Sequence, residues 1–178
     1  MNFEEGFLKD VIKRLQTYKE LGDKTFEQLE EKDFCFQPSS ESNSIAIIIQ
    51  HMHGNMMSRF TNFLTEDGEK PWRKRDEEFE VNATTKEELL SFWNIGWNCV
   101  FNAIQTLQPA DLTKTIYIRT EPLTVYDALL RQLEHYPYHI GQIVYIGKMI
   151  KDSNWKSLSI PKNKSHQYNE KMSQQNKR

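Results

Sequence analysis

Apolar residues recur every three or four positions along four long segments of the chain, with charged residues filling the opposite sides. In the first, residues 2–32, the stripe is Phe3, Phe7, Val11, Leu15, Tyr18 and Leu29, the pattern of an amphipathic helix. Pro38 and the polar run after it end that helix. Ser44 is a good N-cap for a second helix over residues 44–64, with Ile45, Ile49, Met52, Met56, Phe60 and Phe63 on its apolar face. Thr85-x-x-Glu88 reads as a capping box. It opens a third helix over residues 85–107, whose inner face is Leu89, Trp93, Gly96, Val100, Ile104 and Leu107. Thr124 caps a fourth over residues 125–151. Residues 115–119, TIYIR, are the one short β-like run, either a strand or an extended loop.

These segments predict an all-α protein, a four-helix bundle with a long crossover between the second and third helices. That crossover, residues 65–84, is longer than compact domains usually tolerate unless it covers something. Its mixed charges over residues 73–80 read as a solvated surface. Residues 1–160 form the bundle, and residues 161–178 read as a polar tail, disordered or loosely docked.

Composition narrows the classes of function. The 178 residues are 38% hydrophobic and 27% charged, with a formal net charge of −2. Such a balance fits one soluble domain and gives no basic footprint for nucleic acid. No apolar run is long enough to span a bilayer. The two cysteines, Cys35 and Cys99, are far apart, which fits a reducing cytosol rather than a disulfide framework. The acidic N-terminus lacks a signal core, so a cytoplasmic protein is expected.

The candidate chemistry is histidine. His135 and His139 stand four residues apart on the fourth helix, so their rings share one side of it and can share one metal ion. An isolated His-x-x-x-His is more often a pair of ordinary histidines, and a third ligand is what would change that reading. Pro137 between them removes one helical hydrogen bond and predicts a kink in a continuous helix, because the apolar phase carries through it. The freed Leu133 carbonyl is a candidate partner for a ring N–H. On the second helix His51 and His53 lie about 160° apart and cannot serve the same ion. Periodicity alone gives His53 a modest edge. Asn55, Arg59 and Gln142 are candidates to orient a substrate or a ligand, or else polar flanks of packing. Cys35 is a candidate thiol nucleophile, more simply a filler.

HMHGNM on the second helix and HYPYHIGQIVYIGKM on the fourth resemble the DinB-like (YfiT-like) superfamily of bacterial metal-binding four-helix bundles. The run NSIAIIIQHMHGNMMSRFTNFLTEDGEKPWR, the segment GWNCVFNAI and the closing SLSIPK are similar to an uncharacterised branch of it. The resemblance implies a metal site made of His51, His135 and His139, with His53 at the free position. It implies a divalent ion, zinc first, with nickel or iron also compatible with three imidazoles. It further implies an enzyme acting on a small molecule, a transferase of a low-molecular-weight thiol of the bacillithiol kind or a hydrolase; separately, partner helices could make a homodimer. The alternative is a metal-binding, stress-related bundle without turnover.

Overall fold

The computed structural model describes residues 2–80 and 85–175. The chain is mostly helical. Four long helices carry it: α1 (Phe3–Phe26), α3 (Ile45–Phe60), α4 (Lys86–Gln105) and α5 (Val125–Lys151). Two shorter ones, α2 (Glu31–Phe34) and α6 (Ser165–Gln175), and a hairpin of β1 (Thr115–Ile118) and β2 (Glu121–Thr124) complete it. α3 packs on α4 and α5, and α1 packs on α5 and α4. Between them lies one apolar core in which Leu15, Ile49, Met52, Trp97, Leu129 and Ile143 are fully buried. Each such side chain contributes roughly 1.5–3 kcal/mol by leaving water. Gly96 permits a close approach of α4 to α3, since a Cβ there would stand 2.9 Å from Met56 Sδ.

The caps are those the sequence predicts. Ser44 Oγ accepts from Ile47 N–H, Thr124 Oγ1 accepts from Asp127 N–H, and Thr85 and Glu88 cap one another. The stripes also fall inward, except that Phe3 stays 80% exposed beyond the end of the core.

Three boundaries differ from the periodicity. α1 stops at Phe26, and residues 31–34 form a separate turn. The cause lies far along the chain: Lys86 Nζ donates to the Phe26 and Leu29 carbonyls at 3.1 and 2.6 Å, a cation satisfying a helix C-terminus. α3 ends at Phe60 rather than near residue 64, because Asn62 turns left-handed (φ 51°) and its carbonyl accepts from Thr65 and Glu66 N–H. Phe63 nonetheless reaches the core, stacked on Phe60. The tail over residues 165–175 is an exposed helix rather than irregular chain; residues 176–178 lie outside the described residues. Through Pro137 α5 continues unbroken.

Residues 115–118 of TIYIR form a strand, paired antiparallel with residues 121–124. Ile116 and Ile118 point into the core. The two-residue turn between the strands, Arg119 and Thr120, has both residues left-handed, at φ 56° and 64°. Hairpins favour that geometry, but it costs L-residues roughly 1–2 kcal/mol each. The Asp67 carboxylate offsets this by accepting the N–H groups of Arg119 and Thr120, each at 2.8 Å, and of Glu69 at 2.7 Å. Asp67 belongs to the connection between α3 and α4, whose last four residues, 81–84, lie outside the described residues. That connection is fastened to α3 at its start: Ser58 Oγ and the buried Arg59 guanidinium both donate to the Gly68 carbonyl. Further on, Asp76–Phe79 forms a single tight turn against α3.

Candidate metal centre

α3 and α5 meet where each carries histidine. On α5 the four-residue spacing sets His135 and His139 on successive turns, and α3 faces them with His51. His135 Nε2 lies 3.0 Å from His139 Nε2 and 3.5 Å from His51 Nε2. One nitrogen of each ring lies within 4.8 Å of the other two. Three nitrogens about 2.0–2.1 Å from one tetrahedral ion stand about 3.3 Å apart. The 3.0 and 3.5 Å separations bracket that spacing.

The Nδ1 atoms of His51 and His139 are engaged elsewhere. His51 Nδ1 donates to Glu78 Oε2 at 3.0 Å, and Arg73 holds the same carboxylate through two bonds of 2.8 and 2.9 Å. Phe79 covers the His51 ring, with centroids 4.9 Å apart. His139 Nδ1 donates to Gln142 Oε1 at 3.1 Å. An imidazole that donates through Nδ1 carries its lone pair on Nε2. In that tautomer His51 and His139 both aim lone pairs at His135, which has at most one Nε2–H to offer. A cation between the rings satisfies all three, and its outer partners, a carboxylate and an amide, are the kind that orient metal-bound histidines. The donor set fits a divalent ion.

Electrostatics act in the same direction. Burial pushes the His135 imidazole down to about 3, helped by the neighbouring His139 and His51 rings and by Arg59 and Arg73. Burial likewise takes His139 down to about 4, with the Gln142 bond opposing and His51 assisting. Both rings are thus neutral near pH 7, the form that binds metal. Burial would raise the Glu78 carboxyl, but the His51 and Arg73 hydrogen bonds and charges outweigh it and hold it below the usual range.

The remaining sequence candidates separate. His53, which periodicity slightly favoured, points to α4, bonded to the Phe92 carbonyl at 2.9 Å and stacked on the Phe92 ring. The apolar side of α3 is the side that packs, so nearness to that stripe selected the wrong ring for the cluster. Asn55 is buried and accepts from Tyr136 Oη at 3.2 Å. Arg59 is tied to the connection, and Gln142 is the partner of His139. The Leu133 carbonyl takes no part in the ring bonds described. Cys35 is exposed at the end of α2 and does not line the cavity beside the histidines.

Arg73, Glu78 and Phe79 are the residues that sequence reasoning missed. Their segment reads as a solvated face, whereas the Arg73 and Glu78 side chains are 2% and 10% exposed. Gly54 explains how they fit. A Cβ on Gly54 would come within 2.6 Å of Glu78 Cδ and collide with its carboxylate. Gly54→Ala is therefore expected to leave the helices folded, displace Glu78 and free the His51 ring. Metal affinity should fall about 10–100-fold, as for loss of an outer partner. Chelator competition measures it, and unchanged affinity would show that Glu78 does not orient the ring.

Together these features define a mostly helical protein with three imidazoles converging between two of its long helices. The chain belongs to a family described as "Protein of unknown function (DUF1572)", whose profile matches residues 2–164. A search of curated proteins finds no match.

Proposed function

We propose that this chain is a cytoplasmic, divalent-metal-dependent enzyme of the DinB-like four-helix-bundle class. His51, His135 and His139 are its metal ligands, with zinc as the first candidate and nickel or iron next. One observation carries the reading: three Nε2 atoms face a common point while Nδ1 of two of the rings is bonded elsewhere. The packing of α1, α3, α4 and α5 around one core supports the bundle. Among the described residues no helix is long and apolar enough to cross a membrane.

The metal would supply Lewis acidity and lower the pKa of a bound water or thiol. Three imidazoles leave coordination positions free for such a ligand. Glu78, held by Arg73, fixes the tautomer of His51, and Gln142 does the same for His139. His51 and His135 also line an open cavity of about 460 Å³, of a size for a small metabolite. We assign the reaction to transfer of a low-molecular-weight thiol onto an electrophile, or to hydrolysis of a small substrate.

Untagged protein should contain about one equivalent of metal per chain. A panel of small thiols with electrophiles, and of esters and amides, assayed with and without chelator, then tests turnover. Chelator-sensitive activity is the expected result. Stoichiometric metal with no activity across the panel would favour a metal-binding bundle without catalysis, and absence of metal would remove the reading.

A further inference from the structure

We infer that the cavity beside the histidines is an oxyanion pocket, which holds the carboxylate or phosphoryl group of the substrate. Its lining contains five arginines and one acid, Glu134. The arginines come from separate parts of the chain: Arg59 on α3, Arg73 and Arg75 in the connection, Arg119 at the hairpin tip and Arg131 on α5. Arg59 and Arg73 are buried and committed to Glu69, Gly68 and Glu78. The other three are about half exposed, at 49%, 53% and 45% for Arg75, Arg119 and Arg131.

The acids beside these three leave much of their donor capacity open. Arg119 uses Nε to reach Glu69 at 2.8 Å, while Arg131 comes only to 3.5 Å from Glu121 and Arg75 only to 4.0 Å from Asp76. A guanidinium fork with free N–H groups is suited to planar carboxylates and to phosphoryl oxygens.

One further observation points to a ligand. Gln132, which is 3% exposed, lines the same cavity, and its buried Oε1 has no hydrogen-bond partner among the described residues. An unsatisfied amide oxygen calls for a donor, so its partner is an O–H or N–H on the remainder of the ligand and not the anionic group. Arg119 is held at the hairpin tip, with Asp67 bonded to its N–H and to that of Thr120. His51 and His135 share the lining, so a molecule anchored by its anionic end presents its remainder to the Nε2 cluster. As a substrate site the pocket rests on the metal reading; as an anion site it does not.

Calorimetric titration of the full chain with succinate and with inorganic phosphate, each on chelator-treated and on zinc-loaded protein, tests this. Saturable 1:1 binding of at least one probe to both forms is expected, and the preferred probe distinguishes carboxylate from phosphoryl substrates. Arg131→Gln and Arg119→Gln should each weaken it about tenfold or more, the value of a charge-assisted bond. Arg75→Gln is a further variant, half-exposed and removed from the hairpin. His139→Ala should lose metal and keep anion binding, so failure of the metal site and failure of the pocket give different results. Absence of saturable binding, or binding that needs zinc and is indifferent to all three arginines, would overturn the pocket.

Discussion

Alanine at His51 or at His139 is expected to abolish stoichiometric metal binding, while His53→Ala leaves it intact. Each of the first two removes one of three nitrogens that lie within 4.8 Å of each other. Two remaining imidazoles hold an ion far more weakly, so the loss should exceed the 10–100-fold typical of an outer partner. His53 is bonded to the Phe92 carbonyl at the α3–α4 contact, so its substitution reports packing alone. The fold should survive in the His51 variant, because Glu78 keeps its two bonds to Arg73 and is not left as a lone buried charge. Elemental analysis after dialysis, with circular dichroism as the control for folding, decides the matter. Equal metal content in all three variants would exclude the cluster as the site.

Acidification is the second large effect. His139 is held at about 4 in the folded chain, against about 6.5 when unfolded. Above pH 6.5 both states are neutral and nothing is lost. Below it the unfolded chain takes up the proton first, so stability falls with pH until the folded ring also titrates. At about 1.4 kcal/mol per pH unit this amounts to roughly 3 kcal/mol from His139 between pH 6.5 and 4. His135 adds in the same direction, discounted for its partial exposure. Carboxylates such as Glu78, depressed below their unfolded value, act only at the lower end, since their stabilisation is lost as pH falls below about 4.5. The window from pH 6.5 to 5 therefore belongs to histidine. Chemical denaturation of metal-free protein across that window should show the slope, and His139→Gln should flatten much of it. A flat profile in the parent protein would contradict neutral burial of these rings.

The four long helices were legible because each has an apolar stripe and a polar cap that act locally. Their ends were less so. Nothing near Phe26 announces that Lys86, sixty positions on, completes the end of α1, and the left-handed Asn62 lies inside an otherwise helical pattern. The partner strand 121–124 escaped notice because it contains Pro122 and little alternation. At the candidate site, the His135–His139 pair follows from helical geometry alone. The ring on α3 does not, since the wheel separates apolar from polar sides and says nothing of which polar group meets another helix; there the resemblance, not the periodicity, pointed to His51. Arg73 and Glu78 resemble any surface pair until the connection is folded back onto α3. The length of that connection was the one available sign that it covers something.

Glu78 arrives from the irregular segment after α3, while the imidazole it steadies belongs to the helix itself. On the proposed metal reading, occupancy of the three-nitrogen point and closure of the Asp76–Phe79 turn are linked, and the linkage is reciprocal. Whatever lifts the turn away loosens the ion, and whatever ion prefers the locked ring clamps the turn down by the same free energy. Ligand exchange and opening of this turn would then share a single equilibrium.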